Sequence, residues 1–276
     1  MTISESFSHQ ASNLVQSVRD MRKLSLMHYS AAERTSLISA LRSKGHETDL
    51  LGFHVSYLND VAFHFVLREV FFNCDYLMDS ETDSPVILDC GANIGLATLF
   101  FKRHFPRARI TCFEADPITA SILRKNVEQN HLQDVSTYNL MLSDSEGEHL
   151  FYIDPNIDGS LKMSGTSGRL SNQREIKVNA GKLSHFIDGP IDLLKLDVEG
   201  AEFEVMNDLK SSGKLSHVRR MIIEYHHKID GQASRLSKFL ALLEDEGFEY
   251  QIAGKCYPIT TRNTFQDILL GAYRPN

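Results

Sequence analysis

Tryptophan is absent from this chain and cysteine is scarce: Cys74, Cys90, Cys112 and Cys256 are scattered, with no CxxC pair and no Cys/His zinc spacing. That pattern excludes a disulfide-stapled scaffold and a structural zinc module. Small buried hydrophobes in a reducing cytoplasm are the expectation. No stretch approaches the ~18 apolar residues of a membrane span. The opening MTISESFSHQ has neither a basic start nor an apolar core, so neither a signal peptide nor a membrane is expected and the protein reads as cytoplasmic. An excess of positive charge is also missing. The 29 Lys and Arg are outnumbered by 36 Asp and Glu, and the net charge of −7 argues against an electrostatic grip on nucleic acid. What remains, 42% hydrophobic and 24% charged over 276 residues, is ordinary for a globular protein and long enough for one large domain with an appendage.

The stretch VILDCGANIG, residues 86 to 95, organises the rest. Val86 to Leu88 form a short apolar run, Asp89, Gly91, Asn93 and Gly95 follow, and Ile94, Ala97, Phe100 and Phe101 then repeat at helical spacing. Strand, tight turn and helix are expected, with glycines that let the backbone approach a ligand closely. A dinucleotide would need GxGxxG so that its pyrophosphate rests on bare N–H groups. Here Asn93 stands where a middle glycine might be, a residue that tolerates the left-handed conformation, and Asp89 ends the strand. A carboxylate repels a pyrophosphate and attracts an ammonium group. S-adenosylmethionine carries such an ammonium and no phosphate. The run RITCFEADP then ends in Glu114, roughly twenty residues beyond the glycine turn, the interval at which an acidic side chain meets ribose hydroxyls.

DCGANIGLATLFFKRHFPRARITCFEADP resembles the nucleotide-binding half of class I S-adenosylmethionine-dependent methyltransferases, specifically the FkbM type. LLKLDVEGAEFEVM (193 to 206) and MIIEYH (221 to 226) are similar to later motifs of that family, in the same order. The resemblance implies a Rossmann-like, doubly wound, mostly parallel seven-stranded sheet with an antiparallel last strand. It implies a cofactor site at Asp89, Gly91, Ala92, Asn93, Gly95, Glu114 and Ala115. It also places a polar contact to the adenine at Ser143 and Asp144, although Ser-Asp is equally common turn chemistry.

Along the chain, residues 1–59 read as an N-terminal helical extension with a short strand, and 60–276 as the methyltransferase domain. Leu14, Val15 and Val18, then Leu37, Ile38 and Leu41, mark two helices between about 7 and 45, suited to covering a cleft, to a homo-oligomer contact or to plain packing. LLGFHVSYL (50 to 58) reads as one short strand and 60 to 72 as a helix capped by Asp60. Asp116 and Pro117 open a helix running to about Asn130, and a strand follows over about 135 to 142. HLFYI and EIKVNA are two added strands around the polar loop 154–173, a lid or a simple connection. IDLLKLD, VRRMIIEYH, FEYQIAG and DILLGAYR complete the sheet, with helices from Gly200 and from about Ala233.

Ligands of open α/β sheets sit beyond the strands' carboxyl ends, which here carry Asp89, Glu114, Ser143, Asp197, Glu199, Glu224 and His226. The acidic majority suits a cationic sulfonium cofactor, and would suit a divalent metal as well. No metal is assigned. Methylating a hydroxyl requires alignment and removal of a proton. His226, with Glu224 close by, is the first candidate for the base and Asp197 the second; Glu202 is expected only to favour the helix dipole. The resemblance points to O-methylation of a small molecule, sugar or other glycan acceptor, or secondary metabolite. The alternatives are a dinucleotide-dependent oxidoreductase, a nucleic-acid methyltransferase, which the charge and the missing base-flipping motif oppose, and a noncatalytic binding protein on the same fold.

Overall fold

The Ser30 hydroxyl accepts the Glu33 amide while the Glu33 carboxylate accepts the Ser30 amide, a reciprocal cap that starts helix α1 (Ala31–Ala40). The nonapeptide expected as one strand contains a hairpin turn instead. β1 (Glu47–Leu50) and β2 (Phe53–Ser56) pair antiparallel about Leu51 and Gly52, whose φ values of 53° and 89° make a two-residue turn. Leucine is a poor marker of that conformation, so Gly52 was the one local signal of the reversal. Helix α2 (Asp60–Leu67) is capped by Asn59, which accepts the Ala62 amide, rather than by Asp60 one position later. It continues as a wider turn over Arg68–Asn73. Tyr57 stacks on Phe63 with ring centroids 4.2 Å apart, tying α2 to the hairpin before it.

The computed structural model describes residues 29–161, 163–165, 172–229, 233–254 and 266–275, and they fall into two compact units that divide between Leu77 and Met78. The division lies beyond the expected residue 60, because α2 packs with the hairpin. The first expected helix, around Leu14, lies outside the described residues, as do 162 and 166–171 of the polar loop.

In the second unit, β3 (Val86–Cys90) leads through the glycine turn into α3 (Leu96–His104), and β4 (Arg109–Glu114) into α4 (Pro117–Gln129). Asp116 caps α4 by accepting the Thr119 amide, with Pro117 at the first helical position as expected. The next strand breaks at Leu140 into β5 (Val135–Asn139) and β6 (Met141–Leu142). β7 (Gly147–Ile153) and β8 (Arg174–Gly181) are the added strands. Then come β9 (Leu193–Leu196), α5 (Glu202–Ser211), β10 (Arg220–His227), α6 (Leu236–Asp245), β11 (Glu249–Gly254) and β12 (Gln266–Tyr273).

Seven of these strands form one sheet in the order β11-β12-β10-β9-β3-β4-β5, and β12 runs antiparallel to both its neighbours. This is the doubly wound, mostly parallel sheet expected. The apolar runs of β3 and β9 are buried, as the inner strands of a parallel sheet are. A separate three-stranded sheet, β6-β8-β7, carries its own apolar cluster of Met141, Phe151, Ile153, Met163, Val178 and Ala180. Among the described residues no helix is long and apolar enough to cross a membrane.

The strand order sets the carboxyl ends of β10, β9, β3 and β4 side by side. Where β3 ends, Gly91, Asn93 and Gly95 have φ values of 77°, 51° and 92°, so the turn uses the left-handed region three times. A Cβ on Gly91 would stand 1.7 Å from the Asp197 carbonyl oxygen, so β3 and β9 approach as closely as bare backbone allows. We expect Gly91→Ala to lower the stability of the second unit by more than about 2 kcal/mol in urea denaturation followed by circular dichroism. An unchanged midpoint would mean that the turn relaxes freely.

Candidate active site

Backbone hydrogen bonds hold the glycine turn against β4. The Gly91 and Ala92 amides both donate to the Phe113 carbonyl, and the Asn93 amide donates to Glu114 Oε2 at 2.9 Å. The other Glu114 oxygen accepts the Asp116 amide at 2.9 Å. Burial pushes the Glu114 carboxyl up to about 7, against the opposing pull of these two amides. Each oxygen keeps a further lone pair, so the side chain can still accept ligand hydroxyls.

Gly91, Asn93, Glu114 and Ala115 form one side of an open cleft. Leu140, Met141, Leu142, Phe151 and Met163 give it an apolar wall, and Asp197, Val198 and Glu199 close the far end. Ser160, Leu161 and Met163 come from the polar loop. Ser164 pins this loop, bridging to Tyr152 of β7 and donating its hydroxyl to the Glu199 carbonyl. The bare backbone at Gly91, the acceptor at Glu114 and the apolar wall suit the amino-acid end, the ribose and the base of a nucleoside sulfonium.

Beneath the floor lies Lys195, which is 3% exposed. Its ammonium group donates to the Gly91 carbonyl at 2.6 Å and lies 3.5 Å from Asp89 Oδ1 and 3.3 Å from Asp197 Oδ2. Burial disfavours its charge, but the two carboxylates outweigh that and its pKa ends above the ordinary lysine value. Asp89 is itself sealed, with Oδ2 accepting the Thr98 hydroxyl at 2.8 Å.

A second cluster adjoins the acidic end. His226 Nε2 stands 3.0 Å from Glu199 Oε2 and 3.9 Å from Asp197 Oδ1, and Nδ1 is 2.8 Å from Glu202 Oε1. Glu224 lies on the same strand face as His226, and Asp267 pairs opposite it on β12. By spacing, Asp197, Glu199 and His226 could hold a cation, as could Glu224, His226 and Asp267. These groups already engage His226 or Lys195, and no metal is assigned.

The expected site residues therefore separate into layers. Gly91, Asn93, Glu114, Ala115 and Asp197 line the cleft; His226 and Glu224 stand behind its acidic end. Asp89 does not reach the cleft, because its charge is spent on Lys195 and Thr98. Ala92 is buried, and Gly95 starts α3 where a Cβ would stand 2.9 Å from Leu123. Ser143 and Asp144 follow the lining residues Met141 and Leu142: the Ser143 amide donates to the Gly181 carbonyl of β8, and Asp144 is exposed in the following turn.

Sequence reasoning passed over Lys195 and the role of Glu202. A lysine inside LLKLD was a usable signal, because a charge in a buried strand needs partners.

Residues 89–250 match the methyltransferase FkbM domain. The chain belongs to the FkbM methyltransferase family. It is similar to methyltransferase sdnD of Sordaria araneosa, 29% identical, covering 74% of this chain and 88% of that protein. It is also similar to 31-O-demethyl-FK506 methyltransferase FkbM of Streptomyces tacrolimicus, 26% identical over 71% of this chain and 86% of that one. With 2-O-methyltransferase NoeI of Sinorhizobium fredii it shares 30% identity over 52% of this chain and 65% of the relative. S-adenosylmethionine-dependent methyl transfer is thus the chemistry of this chain, and the dinucleotide alternative falls away.

Replacing Lys195 by methionine leaves Asp89 buried without its counter-charge, which costs about 3–5 kcal/mol when one member of a buried pair is removed. Chemical denaturation of Lys195→Met should show a loss of that size. A loss below 1 kcal/mol, on the order of an exposed ion pair, would show that the ammonium does not hold the floor together.

Proposed function

We propose that this FkbM-family protein methylates a hydroxyl group of a small molecule, sugar or secondary metabolite, in the cytoplasm, with His226 as the base. The observation that carries the reading is the placement of His226 Nε2 against Asp197 and Glu199, the acidic pair at the end of the cleft. The names of two relatives, a 2-O-methyltransferase and a 31-O-demethyl-FK506 methyltransferase, favour oxygen as the accepting atom.

When bound, S-adenosylmethionine would supply a methyl group activated by a positively charged sulfur, which would leave with the bonding pair as the acceptor oxygen takes the methyl. Glu114 receives the ribose hydroxyls, with Asn93 and Ala115 beside it. Gly91 would admit the amino-acid end, and Leu142, Phe151 and Met163 would offer the base an apolar surface. His226 Nε2 takes the proton leaving the acceptor hydroxyl. Glu199 and Asp197 then stabilise the imidazolium that results.

Incubating the protein with labelled donor and candidate hydroxyl compounds, then identifying the product by mass spectrometry, tests the acceptor class; label on nitrogen or carbon alone would refute it. His226→Ala should lower kcat by about 10²- to 10⁴-fold while leaving the affinity for S-adenosylhomocysteine unchanged. Turnover at the wild-type rate would remove His226 from the chemistry. Donor binding needs the charged Glu114 carboxylate, so affinity should fall as pH drops through about 7. Calorimetric titration of Glu114→Gln should show weaker binding without that pH dependence, and an unaltered curve would take Glu114 out of the site.

A further inference from the structure

Ser164 is sealed from solvent although it belongs to the polar loop 154–173, whose residues 155–158 are exposed. A serine so placed must find partners for its backbone and its hydroxyl alike. Its amide donates to the Tyr152 carbonyl at 3.0 Å and its carbonyl accepts the Tyr152 amide at 2.8 Å, which adds one antiparallel rung to the edge of β7. Its hydroxyl donates to the Glu199 carbonyl. Ser160, Leu161 and Met163, just before it, line the cleft.

The Glu199 carbonyl and the Gly200 amide are the two sides of one peptide unit, and each has a side-chain partner. Ser164 holds the oxygen, and the Glu202 carboxylate accepts the N–H at 2.9 Å. Glu199 and Gly200 have φ values of 56° and 106°, so this peptide joins two residues in the left-handed half of backbone space. A peptide that precedes glycine can swing about its own axis at little steric cost, because glycine accepts φ of either sign. The two bonds fix it in one orientation, and with it the backbone from which the Glu199 carboxylate projects at the end of the cleft. Glu202 is two residues along and moves with the turn. Ser164 comes from 35 residues away, on the rim of a different sheet, and ties the turn to another element.

We propose that Ser164 is a positioning residue: its hydroxyl holds the Glu199–Gly200 peptide and links the loop residues that line the cleft to the acidic turn, so that both tighten together when the cleft fills. The second half rests on the cleft being the donor site. Residues at the two ends of the cleft, which share no direct bond to one ligand group, then order as one unit, and filling one end lowers the cost of ordering the other.

Hydrogen exchange of the full chain, read by mass spectrometry with and without S-adenosylhomocysteine, tests this. In the wild type the ligand should slow exchange in two places at once, around Ser164 and around Gly200. Slowing around Ser164 alone overturns the proposal without recourse to any variant. In ligand-free Ser164→Ala the stretch around Gly200 should exchange about three- to tenfold faster, the effect of losing one buried hydrogen bond, while β9 and α4 keep their wild-type rates. Added ligand should still slow the loop of that variant but no longer the turn. A Gly200 stretch that keeps its wild-type rate, a turn that still responds to ligand as in the wild type, or faster exchange spread evenly over the whole sheet would each overturn the role of Ser164. If calorimetry finds no S-adenosylhomocysteine bound to the wild type, the donor-site reading fails, and ligand-free exchange of Ser164→Ala still decides whether Ser164 holds the turn.

Discussion

The ammonium group of Lys195 is the constraint on which this site depends. It lies in register with Asp89 across the parallel pair β3 and β9, and it reaches past the strand end to the Gly91 carbonyl and to Asp197. A lone charge there would be intolerable, and so would the Asp89 carboxylate without it. Together they lock the glycine turn, the end of β9 and the acidic end of the cleft into one arrangement. The close approach of Gly91 to Asp197 is the steric side of the same lock. Cys90 and Cys112 fit this reading: burial pushes both thiols up, so they remain protonated filling around the ion pair.

Much of the architecture was legible because its signals are local. Apolar runs gave the strands, Asp116 and Pro117 announced a helix start, and Asn93 stands in the left-handed conformation its chemistry tolerates. Glu114 could be placed from its interval after the glycine turn. What escaped was pairing across long separations. Asp89 ends its strand where a ligand carboxylate would, but its partner Lys195 lies over a hundred residues further along, and no window of sequence joins them. Glu202 looked like helix chemistry because His226, which claims it, is 24 positions away. The small sheet that takes up the Ser143 amide likewise becomes visible only when β6 and β8 are brought together.

The acidic end of the cleft is layered. Glu202 and His226 are buried, Asp197 and Glu199 are half-buried, and the cleft opens beyond them. Glu199 holds φ at 56°, a conformation costing a non-glycine residue roughly 1–2 kcal/mol, and Gly200 follows at 106°. The strained turn aims the Glu199 carboxylate at the imidazole while its carbonyl accepts Ser164 from the loop over the cleft. Local backbone strain is tolerated here because bonds on both sides fix the turn.

Part of the apolar wall of the cleft, Met141, Phe151 and Met163, belongs to the nucleus of the small sheet β6-β8-β7, while Leu140 and Leu142 pack with the larger nucleus around β9 and β10. A part with its own foundation is an exchangeable panel. Substitutions in it reshape what the chamber accommodates while the ion pair beneath the floor stays undisturbed. A lineage built on this plan can therefore diversify its clientele at little risk to folding, since tolerance for change and the machinery of transfer reside in different parts of the chain.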